Sequence, residues 1–298
     1  MTAIATTEGM HYEGYCIRPP SEADSILLQV TLGCSHHRCT FCGSYQGKRF
    51  RIKDDRIIES DILYASRHMP REDRLFLMDG DALIIPQKRL LRILEMIEKH
   101  LPHIRRVGAY ANTKSVRKKT PEELRQLREH RLGILYYGVE TGDDDIRREI
   151  RKGSSAAQCI VMGRRVKEAG IQLSATVLLG IGGIDGSLRH ARATGELLSA
   201  MDPDFVGALT VMLIPGTPLY GDYLAGRFRL PNEQGLLREL KEMITHTQLT
   251  RGYFFSNHAS NYLPVKAKLP SGKQRALELI DAALRGEVGL KPEWLRAL

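Results

Sequence analysis

Three cysteines fall within nine residues, in the run Gly33-Cys34-Ser35-His36-His37-Arg38-Cys39-Thr40-Phe41-Cys42. Thiolate sulfurs bind iron tightly, and such close spacing lets one loop wrap a cubane iron–sulfur cluster. Three cysteines for four irons leave one iron without a protein ligand. An open position is what a metal centre needs to do chemistry rather than only carry electrons. Structural zinc, with His36 or His37 as a fourth ligand, is the rival reading, though no second Cys/His pair stands nearby. The only other cysteines are Cys16 and Cys159. Five cysteines so distributed are no disulfide framework, which points to a reducing, cytoplasmic setting.

Other chemistry-bearing runs punctuate the chain. Met78-Asp79-Gly80-Asp81 sets a glycine beside two acids. Glycine permits close backbone approach, and a carboxylate or carbonyl accepts from an ammonium group. Tyr137-Gly138-Val139-Glu140-Thr141-Gly142-Asp143-Asp144 ends an apolar run in a carboxylate. Thr176 to Gly183 ends an apolar run in three glycines, and Val211 to Pro218 ends one in Pro215-Gly216-Thr217-Pro218. Ser256-Asn257-His258-Ala259-Ser260-Asn261-Tyr262 is polar between aromatics, where Asn261 can orient a substrate and His258 can move protons. A capped loop that plugs the fold is the equal alternative for that segment. Pro19 to Ser25 could line the same mouth.

Something must hold these runs. Six short apolar stretches, Ile26–Thr31, Leu75–Met78, Arg105–Ala111, Ile134–Val139, Leu173–Leu179 and Phe205–Ile214, alternate with amphipathic ones. Nearly continuous apolarity suits parallel strands covered on both faces. Thr120-Pro121-Glu122-Glu123 is a capping box with proline at the first helical position, and that helix should end near Gly133. Pro86 should open the helix carrying Leu90, Leu94, Ile97 and Leu101. Ser154 or Ser155, Ser187 and Asn232 are the expected caps of later helices. Six βα units imply an α/β fold with right-handed crossovers, a partial (β/α)6 TIM-like barrel. Reactive groups then belong at the C-terminal strand ends, where the motifs fall. The expected layout is an N-terminal arm over 1–25, a core over 26–248 and a C-terminal extension over 249–298.

The bulk composition agrees. The 298 residues are 42% hydrophobic, enough for one large core. Forty-four Lys and Arg against thirty-five Asp and Glu give a net charge of +9 and favour anionic partners. No stretch approaches the ~20 apolar residues that span a bilayer, and no secretory signal opens the chain.

With these motifs in order, the sequence resembles the radical S-adenosylmethionine superfamily from about Gln29 to Pro218. The usual family pattern is CxxxCxxC with an aromatic before the last cysteine. Phe41 fits the aromatic, while the spacing between Cys34 and Cys39 is one residue longer. The fourth-strand motif with Glu140, continued by Lys152-Gly153, is similar to that of the elongator catalytic subunit, methylthiotransferases and oxygen-independent coproporphyrinogen oxidase.

The resemblance implies that Cys34, Cys39 and Cys42 hold a [4Fe–4S] cluster. It implies contacts to S-adenosylmethionine from Phe41, from Gly80 and Asp81 at the methionine amine, and from Glu140 at the ribose. Gly180 and Leu213 would meet the adenine and Arg165 the methionine carboxylate. The implied reaction is reductive cleavage to a 5′-deoxyadenosyl radical, with electrons from an external flavodoxin- or ferredoxin-type donor. The radical would act on a small anionic metabolite. Basic clusters Lys114/Arg117/Lys118/Lys119 and Arg147/Arg148/Arg151/Lys152 keep RNA modification open, and a non-catalytic Fe–S or zinc protein is the third reading. Two leftover cysteines cannot supply an auxiliary cluster. At this length no appended acetyltransferase or cobalamin domain is expected.

Overall fold

The computed structural model describes residues 9–297. After a 3-10 turn at Pro20–Glu22 come β1 (Ile26–Gln29) and β2 (Thr31–Leu32). Strand β2 pairs antiparallel with β3 (Arg51–Ile52), so the cysteine loop is the excursion between them. There follow α1 (Asp55–His68), β4 (Arg74–Met78), α2 (Gln87–His100), β5 (Arg106–Ala111), α3 (Thr113–Arg117), α4 (Pro121–Glu129) and β6 (Leu132–Glu140). The second half contains α5 (Asp144–Glu149), α6 (Ala156–Glu168), β7 (Gln172–Leu179), α7 (Gly183–Met201) and β8 (Phe205–Thr210). It ends in α8 (Pro218–Leu224), α9 (Glu233–His246), β9 (Tyr253–Phe255), β10 (Lys266–Lys268) and α10 (Lys273–Leu284).

The start signals mostly act as their chemistry dictates. Thr120 Oγ1 accepts the Glu123 N–H at 3.1 Å, and the Glu123 carboxylate accepts the Thr120 N–H at 2.8 Å. Asn232 accepts the Gly235 N–H at 2.9 Å and opens α9. Ser155 accepts the Gln158 N–H at 3.2 Å at the start of α6. Two expectations need correction. Helix α4 stops at Glu129, and Gly133 lies inside β6. Ser187 does not cap α7, which starts four residues earlier behind Gly182, and its hydroxyl donates to Glu239.

Two compact units make up the chain. The first takes the residues up to His37 together with Gly47–Tyr136 and Glu168–Ile171. In it β1, β4 and β5 run parallel, with Ile26 opposite Leu75 and Leu75 opposite Val107. The apolar runs meet the buried faces of α1 and α2, and Ile58, Ile62, Leu75, Leu77, Leu94 and Ile97 are wholly buried. Burying each such side chain contributes about 1.5–3 kcal/mol.

The second unit takes Arg38–Gln46, Tyr137–Lys167 and the chain from Gln172 onward. Here β7 pairs parallel with β8, β8 with β9, and β10 closes antiparallel on β9. The last two strands arise where the sequence pattern broke up. Three-residue strands are too short to show a period, and pairing decides them, β9 with β8 and β10 with β9. The fold class is the expected one: α/β, mostly parallel, helices between strands. Among the described residues no helix is long and apolar enough to cross a membrane.

Candidate functional site

In the first unit the turn after β4 carries Gly80 and Asp81. The Asp81 side chain is wholly buried. Its Oδ2 accepts from the Ser35 hydroxyl, one residue past Cys34, and from the Asn112 amide at 2.9 Å. Lys114 donates to the Ser35 carbonyl at 2.9 Å. The cysteine loop is thereby tied at Ser35 to the ends of two strands. Oδ1 of Asp81 is buried and has no hydrogen-bond partner. Burial pushes this carboxyl up to about 6, against the lowering pull of its hydrogen-bond donors.

In the second unit the loop continues through Cys39, Phe41 and Cys42. The Thr40 N–H donates to the Ile150 carbonyl at 3.1 Å, and the Thr40 carbonyl accepts from the Leu219 N–H at 3.0 Å. Phe41 and Leu213 pack on one apolar cluster with Ile146, Ile150, Leu178, Ile181, Val211 and Leu219. Two residues expected at the cofactor therefore share a wall.

Glu140 ends β6 with φ +65°, a left-handed backbone that costs an L-residue about 1–2 kcal/mol. Its Oε1 accepts from Lys152 Nζ at 2.8 Å, and both side chains are only 11% exposed. Burial works against the Lys152 cation, yet Glu140 and Cys39 raise its pKa well above the usual range. Lys152 thus places a buried positive charge in the field of Cys39. Its sequence signal was the Lys152-Gly153 pair, whose partner could not be read from spacing.

The turn after β7 holds Gly180 at φ +81°, where a Cβ would come within 2.8 Å of Leu230. Its N–H donates to Glu239 Oε1 at 2.6 Å. Glu239 and His190, both wholly buried, were not anticipated, because neither sits in a motif. Arg165 lies half-buried on α6, next to Arg164, which donates to the Ala200 carbonyl at 2.6 Å.

The segment after β9 grips a strand end. Asn261 donates to the Ala208 carbonyl at 2.7 Å and accepts the Thr210 hydroxyl at 2.8 Å. Ser260 Oγ accepts the Thr210 N–H at 3.0 Å, and His258 Nδ1 pairs with Ser260 Oγ at 2.9 Å. Asn261 is thus spent on β8, while His258 remains half-buried.

The donor set suits an iron–sulfur cluster. Cys34, Cys39 and Cys42 take part in no disulfide, and each is partly exposed. Among the described residues no three His, Cys, Asp or Glu side chains already converge as a metal site. Metal–thiolate bonds themselves supply the free energy that gathers such ligands. The orphaned Asp81 Oδ1 suits a cationic ligand group, since a buried acceptor without a donor costs about 1–3 kcal/mol.

Comparison with known proteins gives a consistent result. The Radical SAM superfamily matches residues 28–193, more than half of the chain. The heme chaperone HemW of Bacillus subtilis (strain 168) is 21% identical over 229 residues, 76% of this chain and 60% of that protein. The chain thus spans under two thirds of that relative's length. The radical S-adenosylmethionine methyltransferase TsrM from Kitasatospora setae, solved with cobalamin and a [4Fe–4S] cluster, superposes with a TM-score of 0.54 at 15% identity. That match covers 70% of this chain and 41% of that one. Coproporphyrinogen III oxidase (HemN) from Escherichia coli, a radical SAM enzyme, gives 0.52 at 14% identity, over 74% and 51%. These structural likenesses show the fold. With the cysteine loop and the matched stretch together, the chain belongs to the Radical SAM superfamily, whose cofactors are a [4Fe–4S] cluster and S-adenosylmethionine.

Proposed function

We propose that this chain is a radical enzyme that cleaves S-adenosylmethionine reductively and acts on a small anionic substrate. The observation that carries the reading is the loop with three cysteines outside any disulfide, pinned through Ser35 to a buried acid with one unpaired oxygen. When bound, the cluster and S-adenosylmethionine together supply one-electron chemistry that yields a 5′-deoxyadenosyl radical. Cys34, Cys39 and Cys42 hold the irons and leave one open. Asp81 and Gly80 receive the methionine ammonium, Glu140 takes the ribose hydroxyls and Arg165 the methionine carboxylate. Phe41, Leu213 and the Gly180 backbone exclude water around the adenine. The net charge of +9 favours an anionic substrate and an acidic flavodoxin- or ferredoxin-type donor.

The test is anaerobic reconstitution, then dithionite with S-adenosylmethionine, reading 5′-deoxyadenosine. Formation of the nucleoside is expected. A fully loaded cluster that yields none would overturn the reading, and tight heme binding without cleavage would favour a chaperone role such as HemW's name states.

His258 is the substrate contact we propose in the segment after β9, with Asn261 supporting it. His258→Ala should leave the melting temperature unchanged and uncouple cofactor cleavage from substrate consumption. Asn261→Ala removes two buried hydrogen bonds and should cost about 1–3 kcal/mol in urea unfolding. If instead His258→Ala lowers the melting temperature as much as Asn261→Ala does, the whole segment is a plug.

A further inference from the structure

A buried polar thread in the second unit has no part in the chemistry above. It begins at Glu239 on α9, a carboxylate with no exposed surface. Oε1 accepts the Gly180 N–H at 2.6 Å, and Oε2 accepts the Ser187 hydroxyl from α7. His190, three residues further along α7 and equally buried, sets its Nε2 3.5 Å from Glu239 Oε1. Its Nδ1 lies 2.7 Å from Thr141 Oγ1 and 3.3 Å from Thr194 Oγ1. Thr194 Oγ1 accepts the Gly142 N–H at 2.9 Å, and Thr141 Oγ1 accepts the Asp143 N–H at 3.1 Å. His190 Nε2 itself makes no hydrogen bond, so the half on the turn after β7 and the half on the turn after β6 are joined through α7, which carries Ser187, His190 and Thr194.

Its composition argues for a purpose beyond packing. Burying a carboxylate and an imidazole is costly, and leucine at either position would fill the space without that cost. A carboxylate offers what leucine cannot, two acceptor oxygens for donors on two different elements. Both groups are pushed toward neutrality by burial, Glu239 up to about 7 and His190 down to about 4. The turns it joins are those of Gly180 and Glu140. Gly142 has no room for adjustment, because a Cβ there would collide with the Ala193 backbone on α7.

We propose that Glu239 and His190 are positioning residues that fix the turns after β6 and β7 in one geometry, so that Glu140 and the Gly180 backbone meet S-adenosylmethionine already placed. The inference rests on the proposed function for its ligand, but the rigidity it assigns can be measured without one.

The experiment uses the whole chain. Amide hydrogen exchange is followed by mass spectrometry on wild type, Glu239→Ala, Glu239→Gln and Thr194→Val. S-adenosylmethionine affinity is measured by calorimetry on the cluster-loaded proteins. Glu239→Ala should speed exchange in both 140–143 and 180–183 while other segments keep their rates. It should weaken S-adenosylmethionine about tenfold, the scale of one lost hydrogen bond to a charged group. Glu239→Gln keeps an oxygen for Gly180 and should restore both readouts. If Glu239→Ala does not fold, Thr194→Val, which strips only the Gly142 end, carries the same expectation. Faster exchange confined to the turn beside the mutated residue, with affinity as in wild type, would overturn the proposal. Wild type that loads a cluster yet binds no S-adenosylmethionine would refute the functional reading alone, and the exchange arm would still decide the positioning role.

Discussion

Replacing Cys34, Cys39 and Cys42 with alanine together is expected to abolish the visible iron–sulfur absorbance and all 5′-deoxyadenosine formation. The reason is stoichiometric. A cubane of four irons on three thiolates has no spare ligand, and Cys16 and Cys159 cannot substitute. Cys159 is wholly buried on α6, and Cys16 lies on the N-terminal arm with its thiol pKa raised by burial. Single alanine variants should lose the open-iron geometry even where some iron remains. Iron content, sulfide content and cleavage are measured after the same anaerobic reconstitution. Full cluster content in the triple variant would remove the loop from the metal site.

The second large effect concerns the Glu140–Lys152 pair. Glu140→Ala strands a buried ammonium beside Cys39, and breaking one side of a buried pair costs about 3–5 kcal/mol. Unfolding free energy should fall by about that amount, and cluster occupancy should fall with it. Glu140→Gln combined with Lys152→Met removes both charges, keeps the bulk and should recover most of the stability. S-adenosylmethionine affinity then separates two roles. If the ribose binds Glu140, the double variant stays weak, by about 1.5–3 kcal/mol. If Glu140 serves only to neutralise Lys152, the double variant binds as wild type does. A loss below about 1 kcal/mol in Glu140→Ala would mean that the pair is worth no more than a surface one.

Much of this was legible in residue order alone. Leu75–Met78 and Leu173–Leu179 announce buried parallel strands because both faces must be apolar, and they are found within a residue of the expected positions. The cysteine loop and the Asp81 and Glu140 turns also fall at strand ends. What escaped depends on partners distant in sequence. Ser187 has the chemistry of a cap, but Gly182 begins the helix and the hydroxyl goes to a carboxylate fifty-two residues on. Glu239 lies in a leucine-rich helix with no motif, and only tertiary packing turns it inward. Strand β10 reads Lys-Ala-Lys, a poor strand by propensity, and exists because Phe254 is already paired on β8.

That last strand bears on how this edge of the sheet meets other chains in a crowded solution. A sheet ending in β9 would offer Tyr253 and Phe255, with an unpaired row of amides and carbonyls, to any passing chain. Strand β10 covers that row and turns Lys266 and Lys268 outward, with Ala267 alone buried. Lys266 also sits 5.8 Å from the centre of the Phe255 ring. A second molecule extending the sheet would have to bring its own backbone against two ammonium groups, and like-charged copies repel there. Edge-to-edge aggregation is discouraged by charge at this edge of the sheet.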